Sequence, residues 1–318
     1  MDGPSLPDDR DASLQNLELR CPPLPQTLTE ALELMHQPDR LEVDPVTTMV
    51  ERDPAVVARL LQTVNSAYYG LDQSVSSTRR AVVMLGPVAV TGLVVGMNLL
   101  KLRSILSGPL ASCFMRLVRH NVAVGFLARL LHERAGGDPS LSDESGDPFT
   151  CGLLHDFGKI VLSYNAPEEA LALYEEQTIE DELQDPNLRN VEQLLFGYDH
   201  TEAGEFAARK LNFPDALVTT IRCHHDPDAL DTASPAGHLL RLVVAANTAA
   251  NAMEYAFTHP IEWDECLDHP VWTLLLNHDP FDVEHPDQIP ELLRLEQDSL
   301  DAYVNHLPLT PGALNGSG

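Results

Sequence analysis

The sequence predicts an all-α protein, and three observations carry that prediction. Apolar residues recur at spacings of three and four along most of the chain, and acidic or hydroxyl residues stand where helices would begin. No run alternates apolar and polar residues with the period of two that a half-buried strand needs. The chain has 318 residues, 44% hydrophobic and 21% charged, so it holds ample material for a core. That length approaches the limit of a single core and predicts one large or two fused helical parts.

Residues 1–22 are polar and acidic and read as a flexible lead-in, closed by Cys21-Pro22-Pro23. Leu24, Leu28, Ala31, Leu32 and Met35 then mark a first helix, with Pro25 where its missing N–H costs little. Asp44-Pro45 and Asp53-Pro54 each read as an acidic N-cap followed by Pro at the first helical position. The second predicts a helix over 54–69, with Val57, Leu60, Leu61, Val64 and Tyr68 on one face and Gly70 as its C-terminal cap. Helices are expected next over 79–85, 88–102 and 111–133, completing an N-terminal subdomain over 23–135.

Gly, Pro and acidic residues from 136 to 148 make a surface loop and the seam between the two parts. The second subdomain, 149–258, opens on 151–159 and continues through an acidic helix near 167–182. Asp199 and Glu202 form a capping box for a helix to Leu211, Pro214 starts another reaching His225, and a further apolar helix covers 237–257. Residues 259–318 form an acidic helical extension, docked through Trp263, Trp272, Leu274 and Leu275, whose last ten residues are expected to be disordered.

Charge narrows the function classes. The formal net charge is −28, from 20 basic and 48 acidic residues, and such a field opposes docking on nucleic acid or an anionic membrane. Residues 28–135 carry eleven basic and nine acidic groups, or +2, whereas residues 136–318 carry seven and 34, or −27. Arg79-Arg80, Arg116 and Arg119 make no basic stripe, so direct nucleic-acid contact is not expected. Only three of the basic residues are Lys, which suits a protein soluble in molar salt and equally an Arg-rich, high-GC genome.

Cys21, Cys113, Cys151, Cys223 and Cys266 are odd in number and include no C-x-x-C pair, so reduced thiols in a cytoplasmic protein are expected. Met1 to Arg20 lacks the apolar core of a secretory signal. The most apolar window, 84–100, is broken by Gly86, Pro87, Gly92, Gly96 and Asn98, which favours a buried helix pair over a membrane span.

Six residues stand out as donors by their helical positions. His120 lies in the apolar row Leu117, His120, Val124, Leu127, Leu131 and so faces a core. His155 and Asp156 are adjacent, about 100° apart if helical, and Lys159 follows one turn on. His200 shares a row with Gly204, Ala207 and Leu211, and Gly204 admits a close neighbour. His224 and His225 form a second adjacent pair at a helix end. Converged, these six could hold one or two divalent metals, with Fe, Mn or Zn suiting imidazole and a single carboxylate. Taken singly, each histidine also fits a hydrogen-bonded core or capping role.

The stretches Leu24-Pro25, Asp53-Pro54 through Leu60-Leu61, Asn65 to Gly70, Ala81 to Gly86 and Gly152 to Ile160 resemble the HDOD domain, the HD-related output domain of bacterial signalling proteins. The resemblance covers roughly residues 22–230. It implies an N-terminal helical bundle packed on a degenerate HD-domain-like bundle. HDOD domains are similar to HD and HD-GYP phosphodiesterases, and their ligand pattern falls on His120, His155, Asp156, His200, His224 and His225, with Lys159 as a phosphate contact if the protein is an enzyme. The last ligand of that pattern, an aspartate, falls on Asn247, and Asp226-Pro227 stands where a Gly-Tyr-Pro element is expected.

An amide cannot bridge two cations as a carboxylate does. The leading expectation is therefore a non-catalytic regulatory module that acts on signalling protein partners, alone or as a homo-oligomer, with a vestigial metal or small-ligand pocket. The alternative is a metal-dependent phosphohydrolase.

Overall fold

The computed structural model describes residues 19–35, 37, 41–65, 74–106, 109–136, 146–176, 187–231, 234–257, 260–278 and 288–306, and among them every regular element is helical. The first group comprises α1 (Gln26–Met35), α2 (Val43–Glu51), α3 (Pro54–Val64), α4 (Thr78–Leu85) and α5 (Pro87–Lys101), the last running into a 3₁₀ turn, Leu102–Ile105. α5 is the hub of this bundle and packs on each of α1 to α4.

The long α6 (Leu110–Arg134) joins this bundle to the rest, packing on α7 (Pro148–Leu154) and on α13 (Pro235–Ala252). Between those two lie α8 (Phe157–Asn165), α9 (Pro167–Leu171) with a π turn at Ala172–Glu176, α10 (Leu188–Phe196), α11 (His200–Lys210) and α12 (Asp215–Cys223). The acidic segment supplies α14 (Trp263–Leu267), α15 (Pro270–His278), α16 (Ile289–Arg294) and α17 (Gln297–His306). α17 returns to α6, and Trp272 is wholly buried with its Nε1 donating to the Cys266 carbonyl at 2.8 Å. One connected apolar core runs from Leu19 to Val304.

Local chemistry sets many of the boundaries. Asp53 caps α3 by accepting from the Ala55 N–H at 3.0 Å, Asp147 caps α7, Ser234 caps α13, and the Asp199/Glu202 capping box opens α11. Asp44-Pro45 behaves differently. α2 begins two residues earlier, Glu42 is its N-cap, and Asp44 already lies in the first turn, where a carboxylate still complements the helix dipole.

Several helices stop short of their expected ends, α3 and α13 most clearly. α3 ends at Val64, because the Asn65 side chain turns back to the Leu61 carbonyl at 2.7 Å and pairs with the Val75 backbone at 2.6 and 2.8 Å. Its fully buried face is Val56, Leu60 and Val64, with Val57 and Leu61 only half-buried. Tyr68, Gly70 and the rest of the Asn-Ser-Ala-Tyr-Tyr-Gly element beyond Asn65 lie outside the described residues, as do 1–18, most of the 136–148 loop, 177–186 and 307–318. α13 ends at Ala252 rather than Phe257, since Glu254 takes a left-handed φ of 67° that no helix continues through.

Among the described residues no single helix is long and apolar enough to cross a membrane. α4 and the first part of α5 reach that length together but are bent by 110° at Gly86, and residues 90–99 of α5 are buried in the protein.

Candidate metal centre

The donors sit where four helical elements meet. His120 occupies the middle of α6 in a row that is buried throughout. His155 and Asp156 do not lie on one helix: α7 ends at Leu154, α8 begins at Phe157, and the pair forms the corner between them. Asp156 has φ −94° and ψ 20°, the bridge conformation, which lets the two side chains converge instead of diverging by a helical step. Gly158 makes this corner possible, because a Cβ there would run into the His200 carbonyl of α11, and Gly204 on α11 faces the same close approach. His200 opens α11 behind its Asp199 cap, while His224 caps the end of α12 and His225 follows in the turn.

In four of the five histidines Nδ1 points away from the centre. His120 Nδ1 donates to the Tyr255 carbonyl at 2.8 Å, His155 Nδ1 to the Gly152 carbonyl at 2.7 Å, and His224 Nδ1 to the Ile221 carbonyl at 3.0 Å. A carbonyl oxygen can only accept, so each neutral imidazole carries its proton on Nδ1 and its lone pair on Nε2. His200 is held likewise by Glu192, whose Oε2 accepts from its Nδ1 at 2.5 Å and from its backbone N–H at 2.8 Å. The four Nε2 atoms then gather on Asp156, at 3.8 Å for His120, 3.5 Å for His155, 3.5 Å for His200 and 3.4 Å for His224. His200 Nε2 stands 3.3 Å from His224 Nε2 and 3.0 Å from His225 Nε2.

This geometry brings acceptors towards acceptors. His155 Nε2 and Asp156 Oδ1 are buried with no hydrogen-bond partner, which is costly unless a cation takes their lone pairs. The donors fall into two separate groups of ligand geometry, His120 with His155 and Asp156, and His200 with His224 and His225. Imidazole nitrogens with Nδ1 tied to a carbonyl or carboxylate are the usual outer-shell arrangement of a metal site, so the residues fit a divalent cation.

Burial is near complete. His155, His224, His200, Asp156 and His120 are each no more than 2% exposed, and only His225 reaches the surface, with its Nε2 turned inward. Burial lowers the His120 imidazole to about 4, against the pull of Asp156, and holds His155 well below the usual range. His120 and His155 are therefore neutral near pH 7 and ready to ligate. Burial alone would raise the Asp156 carboxyl, but the Lys159 ammonium outweighs it and keeps it well below the carboxylate range.

Lys159 donates to Asp156 Oδ2 at 2.6 Å and lies 5.2 Å from the Phe257 ring centroid, with its side chain 8% exposed. It is packed inside rather than held out towards an anion. Asn247 sits half-buried on the last turns of α13, which packs on the His120 helix. Two residues of the centre escape a reading by spacing. Glu192 is wholly buried and accepts from the Tyr174 hydroxyl at 2.7 Å, with Tyr174 itself in the π turn. A glutamate in the apolar row Leu188, Glu192, Leu195 is the signal that could have found it.

An all-helical fold with a buried corner of adjacent His and Asp, fed by histidines from three further elements, places the chain within the HD-type helical proteins. The family model for the HDOD domain matches residues 21–227, and the chain belongs to that family. An uncharacterized protein of Treponema pallidum (strain Nichols) is 27% identical over 227 residues, covering 71% of this chain but only 41% of the relative. The chain thus spans less than half the length of that relative. Among solved structures, an HDOD domain protein of unknown function from Geobacter sulfurreducens has a TM-score of 0.72 at 23% identity, covering 95% of this chain and 97% of its own. A protein from Shewanella amazonensis SB2B, named as a candidate metal-dependent phosphohydrolase, has a TM-score of 0.61 at 17% identity, covering 94% and 96%. At these identities the likeness is one of fold.

Proposed function

We propose that this protein is a non-catalytic regulatory HDOD module, which holds one divalent metal (Fe, Mn or Zn) in its His/Asp cluster and acts by contact with a signalling partner protein. The observation that carries this reading is the sealing of the cluster. Five of the six donors are buried, Asp156 is the one carboxylate among them, and Lys159 is spent on Asp156 beneath Phe257. A hydrolytic metal needs an open coordination position and a path for substrate. A bound cation would here neutralise converging lone pairs and crosslink α6, the α7–α8 corner, α11 and α12.

A partner surface is best sought on the nearly neutral N-terminal bundle, where α4 exposes Val83 and Met84, 54% and 43% accessible, beside Arg79 and Arg80. The rival, a metal-dependent phosphohydrolase, draws on the number of donors that converge and on the name given to the Shewanella neighbour.

Elemental analysis of untagged protein beside His155→Ala, with both assayed on bis-p-nitrophenyl phosphate and a cyclic dinucleotide, separates these readings. Near-stoichiometric metal that disappears in the variant, with no turnover in either, is the expected outcome. Turnover abolished by His155→Ala would establish the hydrolase instead, and metal-free protein that stays folded would remove the metal.

A further inference from the structure

One short segment touches the centre from several sides. At the end of α13 the left-handed φ of Glu254, 67°, is a strained conformation for a glutamate. The turn it makes delivers the Tyr255 carbonyl that holds His120 Nδ1 at 2.8 Å. Two residues on, the Phe257 ring lies 5.2 Å from Lys159 Nζ and its centroid 5.4 Å from that of Tyr174, whose hydroxyl holds Glu192 and, through it, His200.

The same segment is gripped from outside. The Tyr255 hydroxyl donates to Asp301 Oδ1 on α17, Gln297 Nε2 donates to that oxygen at 2.8 Å, and the Arg119 guanidinium lies 6.0 Å from the Tyr255 ring centroid. α17 is in turn seated on the body of the protein. Tyr303 packs against Phe126 and Phe149 at 5.4 and 5.8 Å, and Glu296, just before α17, pairs with Arg134 at 2.8 Å.

We propose that residues 254–257 are a strap across the metal centre and that α17 latches it, with Tyr255 and Asp301 as positioning residues for His120. This inference rests on the reading of the cluster as a metal centre. Lifting α17 frees the Tyr255 hydroxyl and lets the strained Glu254 turn relax. His120 then loses the acceptor that fixes its tautomer, and Phe257 uncovers Lys159. Docking of α17 and retention of the metal are thus one linked equilibrium, in which the metal holds the helix down and whatever draws the helix away releases the metal.

The test uses the full chain loaded with Co²⁺, reading the d–d absorption spectrum and the rate at which a chelator strips the metal. Asp301→Ala and Tyr255→Phe are expected to shift the spectrum and to speed stripping about tenfold. Asp301→Asn, whose amide oxygen still accepts from the hydroxyl, is expected to restore most of the slow rate. Val56→Ala, in the fully buried core of the N-terminal bundle, controls for general loss of stability and is expected to melt earlier without changing either readout. Wild-type rates and spectra in Asp301→Ala and Tyr255→Phe overturn the latch, as does equally fast stripping in Val56→Ala. Wild-type protein that takes up no Co²⁺ overturns the metal reading itself, and does so before any variant is compared.

Discussion

Glu192 carries more of the centre than any residue outside the donor set. Its two oxygens divide between the Tyr174 hydroxyl and two N–H groups of His200, so it sets the tautomer of one donor from a wholly buried position. Burial alone would raise its carboxyl, but His200 and its hydrogen bonds outweigh this and lower it. Glu192→Gln keeps the shape and removes the charge, so metal affinity should fall roughly 10- to 100-fold in a chelator competition while the protein stays folded. The donors also predict a pH dependence. Unfolded histidine takes a proton near 6.5, whereas His120 resists it until about 4 and His155 and His224 are lowered too, burial being the main cause in each. Below pH 6.5 the unfolded state therefore binds more protons than the native state, and the metal-free protein loses stability as pH falls from about 6.5 towards 4, with no such loss above that window. Thermal melts should show a drop on the order of 5 °C between pH 7 and pH 5, and a shallower one in His120→Asn.

Helix ends and corners place the donors. α8 and α11 meet backbone to backbone, with Gly158 against the His200 carbonyl and the Gly204 N–H, so a methyl group at 158 has nowhere to go. Gly158→Ala should cost about 1–3 kcal/mol or more and weaken metal binding together with stability. At Gly96 an added Cβ would meet only the flexible end of Leu153, so Gly96→Ala should cost less. Paired denaturant titrations of the two variants measure the difference. Equal losses would mean that the α8–α11 contact is not the tight one.

Over the whole molecule, charge and core are distributed differently. The core is continuous from the first bundle to α17, but −27 of the net charge lies beyond residue 135. Much of the acidity is therefore self-repulsion on one part of the surface, which salt relieves within a Debye length of about 10 Å at 0.1 M and 3 Å at 1 M. The melting temperature should rise by several degrees between low salt and molar KCl. An unchanged melt in the two conditions would show that the acidic half is arranged so that its charges do not oppose folding, and it would end the case for a salt-adapted protein.

What could be read from residue order was what neighbours decide. The all-helical class, the caps at Asp53 and Asp199, the extent of α6 and the inward row through His120 depend on groups within a turn or two of one another. The six donors were legible as types and positions, and the HDOD resemblance ordered them. Tertiary structure alone decided the corner that His155 and Asp156 form, the early ends of α3 and α13, and the outer ring of Glu192, Tyr174, Tyr255 and Asp301. The reason is separation. His120 meets the Tyr255 carbonyl 135 positions away, and Tyr255 meets Asp301 46 positions further on. Such contacts carry no local periodicity, and only the packing of α6, α13 and α17 brings them within a hydrogen bond of one another.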